Sequence, residues 1–333
     1  MRKRYLNTIL GLSIIYLVNS NSKILFAKDV YLGGNSIGIE MKKNGVIVSG
    51  TYDIIINNKI YNPSIDSNIK IGDVIYEVDN NEIKCSKDFL NILSFDNDNN
   101  LNLKIKRDNK IVNETIKYQK EDYKYKTGLY IKDKILGVGT LTYYDPETNN
   151  YGALGHEIID SDTHKIFDDF TGNIVESYIE GYKESKNGTP GEKIASIDTN
   201  INLGNILLNT KYGIYGEYLD SFDSKLISTA SKEETHLGKA QIATVLDGNK
   251  IEYYDINIIN LEKQNEISTK GITFEVIDKD LLSKTNGIIQ GMSGSPIIQD
   301  NKLIGAVTHV MTNEVNKGYG IYIDFMLNFT NKL

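Results

Sequence analysis

The chain has 333 residues, of which 40% are hydrophobic and 24% charged, and it carries a net charge of −7 at neutral pH. That length exceeds one ordinary domain of about 100–200 residues, so two folded units are expected. Acidic and basic residues are interspersed without a basic stripe, which argues against nucleic acid as a partner, and the single cysteine, Cys85, rules out an intramolecular disulfide and a cysteine-built metal cluster.

Met1-Arg-Lys-Arg4 is a basic segment, and an apolar run extends from Tyr5 to Val18. The run has the length of a signal-peptide core and falls short of the ~20 residues with which a helix spans hydrocarbon. Asn19-Ser-Asn-Ser22 and Ile24-Leu-Phe-Ala27 follow, with the small Ala27 ahead of a cleavage point. Residues 1–28 are therefore expected to act as a signal peptide or membrane anchor, exporting the remainder and bringing it to a membrane.

Between residues 29 and 120, short strands alternate with turns and one helix. Ser36 to Met41 and Gly45 to Ser49 are expected as two strands joined by a Lys43-Asn44-Gly45 turn. Ile69 to Ile75 leads into a strand, turn and strand over Tyr76 to Ile83. Ser86 is placed to cap a helix from Lys87 to about Leu93 that aligns Phe89, Leu90 and Leu93 on one face. Leu101 to Ile105 alternates as a half-buried strand. Ile71-Gly-Asp-Val-Ile75, followed by a turn, a helix and two strands, resembles a PDZ domain. The resemblance implies a carboxylate-binding loop at Ser36, Ile37, Gly38 and Ile39, where a peptide ligand adds as an extra strand.

Lys120 to Lys126 is charged and is expected as the linker to a second unit, residues 121–333. Strands are expected at Gly128–Ile131, Val138–Tyr143, Lys239–Val245, Ile251–Ile259, Ile272–Ile277 and Leu303–Thr308, with helical segments near Asn173–Tyr182 and Phe325–Asn331. Many short strands with regular turn signals suggest a barrel or sandwich. The chain has no Walker-type loop, dinucleotide fingerprint or clear metal-ligand cluster, so no cofactor or metal is expected.

The chemistry concentrates in Gly287-Ile-Ile-Gln-Gly-Met-Ser-Gly-Ser-Pro296, a serine framed by glycines in a tight turn. Such a turn holds a hydroxyl out from the backbone and points amide N–H groups at whatever the hydroxyl attacks. Gly-X-Ser-Gly-X-Pro is shared by trypsin-like serine peptidases, a register that selects Ser293 over Ser295 as nucleophile. Serine needs an adjacent base, usually histidine, and there are four histidines. His156 lies in a glycine-framed segment well upstream, as the base does in trypsin-like chains. His164 lies among aspartates, His236 follows Lys232-Glu-Glu-Thr235, and His309 ends the strand after the serine turn, where it is better suited to lining the site.

From Gly128 onward the chain resembles the stage IV sporulation protein B peptidases, exported serine peptidases with a PDZ domain ahead of the catalytic one. The blocks that carry the resemblance are Gly152-Ala-Leu-Gly-His156 with Asp160-Ser-Asp-Thr163, Gly188-Thr-Pro-Gly-Glu192, Gly213-Ile-Tyr-Gly216, Asp278 through Pro296, Gly305-Ala-Val-Thr-His-Val310 and Gly318-Tyr-Gly320. The resemblance implies a mainly β chain, a PDZ-like domain followed by a trypsin-like double β-barrel. It also implies a triad of His156 as base, Asp278 as orienting acid and Ser293 as nucleophile, with the backbone N–H groups of Gly291 and Ser293 as oxyanion hole. Asp278 lies closer to the serine than the acid of trypsin-like chains does, and Asp198 is the alternative with more trypsin-like spacing. The chain departs from the family at Asn286, where a glycine is usual, and at Glu157, where a glycine is common.

The leading functional expectation is an exported serine endopeptidase of spore development in the forespore intermembrane space. It would cleave itself and a membrane-bound regulator and so release late sigma-factor activation. The alternatives are a catalytically inactive PDZ scaffold and a general quality-control protease, the latter disfavoured because its PDZ domain would follow the catalytic one.

Overall fold

A computed structural model describes residues 27–95, 99–121, 124–222, 224–263 and 266–333. The basic and apolar leader up to residue 26, and with it the expected export signal, lies outside the described residues. Among the described residues no helix is long and apolar enough to cross a membrane.

The amino-terminal part comprises β1 (Asp29–Leu32), β2 (Ser36–Thr51), β3 (Ile54–Ile56), β4 (Lys59–Tyr61), α1 (Pro63–Asp66), β5 (Val74–Val78), β6 (Asn81–Glu82), α2 (Ser86–Phe95), β7 (Asn100–Arg107) and β8 (Lys110–Lys117). The expected linker is instead a small hairpin of β9 (Gln119–Glu121) and β10 (Lys124–Lys126). The carboxy-terminal part follows with β11 (Leu129–Asp145), β12 (Asn150–Ala153), β13 (Thr171–Lys183), β14 (Glu192–Asn205), β15 (Leu208–Thr210), β16 (Gly213–Glu217) and β17 (Leu226–Ser228). It ends with β18 (Gly238–Val245), β19 (Ile251–Leu261), β20 (Ile272–Val276), α3 (Lys279–Thr285), β21 (Pro296–Gln299), β22 (Lys302–Val310), β23 (Lys317–Tyr322) and α4 (Ile323–Thr330).

The PDZ core forms where α2 lays Phe89 and Leu93 on Ile75, Val78, Leu101, Leu103 and Ile105 of the sheet. Each such apolar side chain withdrawn from water contributes about 1.5–3 kcal/mol. The amide and hydroxyl of Ser86 donate to Asp133 at 2.6 and 2.8 Å, which ties the start of α2 to β11. The two strands expected around residues 43–45 are one continuous strand, β2. Antiparallel β11 runs along both of its halves, and the extra residues are absorbed in a bulge, with Lys132 opposite Ile47 and Lys134 opposite Lys42. Gly45 makes this bulge at φ 126°, and a Cβ there would stand 2.3 Å from the Ile75 carbonyl oxygen.

Ser36 to Ile39 do not form an open peptide-binding loop, which corrects that expectation. On one side Ile37 and Ile39 pair with Gly139 and Gly137 of β11, and on the other with Glu176 and Ile174 of β13. Strand addition requires a free edge, and both edges of this stretch are filled from within. The 173–182 segment, expected as a helix, is strand β13. Its β-branched Ile174, Val175 and Ile179 are buried in the sheet, and pairing with β2 and β14 outweighs the local helical reading.

The mainly β fold, PDZ domain then peptidase domain, is as the sequence implied. Strands β18-β19-β20-β23-β22-β21 form a closed barrel, sealed where Gln241 and Ile242 pair with Ile298 and Ile297. The strands expected to make the other barrel form a ring, β2-β11-β12-β16, which meets β14 at the Gly204–Tyr218 bridge and returns through β13 to β2. They run through β12, β11 and β2 into PDZ strands β5, β7 and β8 as one large sheet. β1, assigned to the PDZ domain by its place in the chain, pairs with β11 and β17. Helix α4 forms as expected and buries Ile323, Met326, Leu327 and Thr330, the one-face spacing of an amphipathic helix.

Candidate active site

The serine turn hangs between α3 and β21. At the end of α3, Asn286 adopts the left-handed conformation at φ 57° and ψ 21°, so asparagine preserves the turn where the family uses glycine. Met292 is fully buried and anchors the loop in the barrel core. Gly294 has φ 93°, and a Cβ there would lie 2.0 Å from the Thr140 carbonyl oxygen and 2.5 Å from the Leu154 nitrogen. Gly294→Ala is therefore expected to lower stability by roughly 3 kcal/mol or more, read as a fall in urea midpoint, because backbone cannot yield as a flexible side chain does.

The direction of the loop amides follows from where their carbonyls are held, since N–H and C=O oppose one another across a trans peptide. The Gln290 carbonyl accepts from the Lys193 amide at 2.9 Å, and the Met292 carbonyl from the Ser295 amide at 2.9 Å. The N–H groups of Gly291 and Ser293 face away from these bonds and donate to no acceptor among the described residues. Two unpaired donors on one glycine-rich turn constitute an anion-binding feature of the oxyanion-hole type. Ser293 is half-buried, whereas Ser295 is fully buried with its hydroxyl unpaired.

His156 follows β12 through Leu154 and Gly155, at φ 70° and 72°. Gly155 packs on β22, where an added Cβ would stand 2.8 Å from the Thr308 methyl. The Ser293 hydroxyl donates to the Thr308 carbonyl oxygen at 2.9 Å, and the rings of His156 and His309 lie 5.2 Å apart. The end of β22 thus gathers Ser293, His156 and His309. His156 Nδ1 lies 2.7 Å from the Glu157 main-chain oxygen. A carbonyl can only accept, so Nδ1 carries the proton and Nε2 presents its lone pair. Burial lowers the His156 pKa below the ordinary 6.5, against a smaller opposing effect of the Glu157 carbonyl and carboxylate. Desolvation also lowers the His309 pKa, and the neighbouring His156 and Lys270 push it the same way.

The structure does not bring the expected acid to this histidine. Asp278 is the N-cap of α3: one carboxylate oxygen accepts from the amides of Asp280 and Leu281, both at 2.9 Å, and the other from the Asp255 amide at 3.3 Å. Asp198 is exposed on β14 and accepts from the amide and side chain of Asn200. The sequence pattern before the serine therefore marks a helix start in this structure, and the tautomer of His156 is set by a main-chain carbonyl. Asp278→Asn is expected to keep kcat/KM within about ten-fold of wild type, since asparagine caps as well as aspartate. A loss near 10⁴-fold, the cost of the same change in an established triad, would restore Asp278 as the acid.

Sequence reasoning did not single out Thr140, Thr308 or Lys193. Thr140 donates its amide to the Ser293 carbonyl at 3.0 Å and its hydroxyl to the Gly291 carbonyl at 2.8 Å. Lys193 is buried beneath the loop. Thr308 falls inside the Gly305–Val310 block, but no linear pattern marks Thr140 or Lys193, which lie far from the serine in the chain; only the Gly188–Glu192 block just ahead of Lys193 pointed to that neighbourhood. Among the described residues no cluster of metal-ligating side chains is found.

Comparison with known proteins assigns both halves. The SpoIVB peptidase S55 family model matches residues 123–327, and a PDZ domain model matches residues 35–118. No curated protein matches the chain. Among solved structures it is similar to Rv3671c of M. tuberculosis H37Rv as an inactive-form serine-to-alanine mutant, at 10% identity and TM-score 0.32, covering 59% of this chain and 82% of that one. It is also similar to the active form of the Rv3671c protease from M. tuberculosis, at 11% identity and TM-score 0.28, covering 58% and 74%. With a serine on a glycine turn, two free amides beside it and a histidine across β22, the chain belongs to the SpoIVB peptidase S55 family and is a serine peptidase.

Proposed function

We propose that the chain is an exported serine endopeptidase of spore development whose nucleophile is Ser293 and whose base is His156. The observation that carries this reading is the convergence of Ser293, with the free amides of Gly291 and Ser293, on the β22 end that His156 packs against. Ser293 Oγ attacks the scissile carbonyl carbon, and its proton passes to His156 Nε2. The developing oxyanion is received by the Gly291 and Ser293 amides. His156 then protonates the leaving amine, and water hydrolyses the acyl-enzyme through the same groups. In the resting structure Ser293 is hydrogen-bonded to Thr308, and its hydroxyl must rotate to His156 when a substrate closes the site, as catalytic hydrogen bonds commonly do.

The substrates are peptide segments of a membrane-associated regulator and of the chain itself, processed in the forespore intermembrane space to trigger late sigma-factor activation. Support comes from the family and from the leader-like amino terminus. A peptide ligand adding along Ser36–Ile39 must displace β11 or β13. Mass spectrometry of the mature amino terminus in a sporulating host tests the reading: wild type should be processed at a leader site and at a further site that Ser293→Ala lacks. Identical termini in the two would remove self-cleavage from the proposal.

An inactive PDZ scaffold is the second reading, and the resting bond from Ser293 to Thr308 favours it. Labelling by a fluorophosphonate, lost in Ser293→Ala, separates the two.

A further inference from the structure

The reaction as described leaves one buried ionisable group at the site unused. Lys193 is 7% exposed and stands at the start of β14. Its neighbour Glu192 forms a parallel bridge with Gln290, the residue before Gly291: the Gln290 amide donates to the Gly191 carbonyl at 2.7 Å, and the Gln290 carbonyl accepts from the Lys193 amide at 2.9 Å. Its stem covers Gly291 so closely that a Cβ there would be 2.9 Å from Lys193 Cδ. Its Nζ lies 2.9 Å from the Thr244 hydroxyl and 3.3 Å from the Thr140 hydroxyl, and the Thr140 hydroxyl donates to the Gly291 carbonyl at 2.8 Å.

Burial alone lowers the Lys193 amine from 10.5 to about 7, and no acidic side chain pairs with it among the described residues. A buried, uncompensated lysine is costly. The Thr244 and Thr140 hydroxyls receive two of its N–H donors.

Resting on the reading of Ser293 as nucleophile, we propose that Lys193 and Thr140 are positioning residues for the oxyanion hole. Lys193 orients the Thr140 hydroxyl, and that hydroxyl holds the Gly291 carbonyl toward β11. The peptide unit between Gly291 and Met292 joins the two units that carry the free amides. Were it to flip, its carbonyl would turn toward the amides and meet the oxyanion with a negative dipole. The Thr140 clamp opposes that flip before substrate arrives, which is the preorganisation that oxyanion stabilisation requires.

The test uses the full chain with Lys193→Met, which keeps stem volume, Thr140→Val, which keeps shape without the hydroxyl, and Thr140→Ser, which restores the hydroxyl. Lys193→Met and Thr140→Val are expected to lower kcat between about ten- and a thousand-fold, up to the loss of one oxyanion donor. KM and melting temperature should hold, and a peptide aldehyde, which mimics the oxyanion, should bind more weakly by a similar factor. Thr140→Ser should recover most of the loss. The proposal is overturned if Lys193→Met keeps kcat within about two-fold of wild type, or if kcat, KM and melting temperature fall together. It is overturned equally if Lys193→Met is as inert as Ser293→Ala, which would make Lys193 the general base. Turnover retained by Ser293→Ala would instead defeat the nucleophile assignment, a separate and recognisable failure.

Discussion

Ser293→Ala should lower kcat by about 10⁵–10⁶-fold, as loss of the nucleophile does in serine peptidases, while leaving a folded protein. Among the described residues the hydroxyl makes a single hydrogen bond, to the Thr308 carbonyl, worth about 1 kcal/mol, so circular dichroism and melting temperature should barely change. The loop keeps its shape because its anchors lie elsewhere: Met292 in the barrel core and the Gly291, Ser293 and Gly294 carbonyls held by Thr140 and Thr142. The measurement is cleavage of a quenched peptide together with fluorophosphonate labelling. Labelling that persists in the alanine variant would place the nucleophile elsewhere in the chain.

His156→Gln should cost nearly as much, and its distinguishing readout is pH. Burial lowers the folded-state pKa of His156 below 6.5, so the base is neutral and competent at pH 7. Wild-type kcat/KM should hold down to about the ordinary histidine value and fall only as pH drops through the lowered one. The residual activity of His156→Gln should lack that acidic limb. The same shift has a stability sign. A depressed histidine pKa means that the folded state binds fewer protons than the unfolded state, so stability is lost on acidification below 6.5. His309 shifts in the same direction, so His309→Gln is the control that assigns the limb. An acidic limb unchanged in His156→Gln and absent in His309→Gln would reverse the roles.

Much of the architecture was legible because it is written locally. Alternation at Leu101–Ile105 marks a half-buried strand, the spacing of Phe89 and Leu93 marks the apolar face of α2, and positive-φ glycines mark the serine turn. The segment 173–182 was expected as a helix because its β-branched run becomes a strand only by pairing with β2 and β14. The peptide edge at Ser36–Ile39 was misread because its fillers, β11 and β13, come from the peptidase part of the chain, about 90 or more residues downstream.

At the site, sequence alone determined which residue types could react: a serine between glycines, a histidine well upstream, and two glycine-turn amides beside the serine. Those assignments follow from backbone requirements and nucleophile chemistry, which are properties of a short segment. Tertiary structure alone decided the partners. It placed Asp278 at a helix cap, gave His156 Nδ1 to the Glu157 carbonyl, and set Thr140 and Lys193 beneath the loop. The physical reason is that a hydrogen bond is set by direction and distance in space: the local backbone path decides it for Asp278 and His156, and strands remote in sequence bring the two ends together for Thr140 and Lys193.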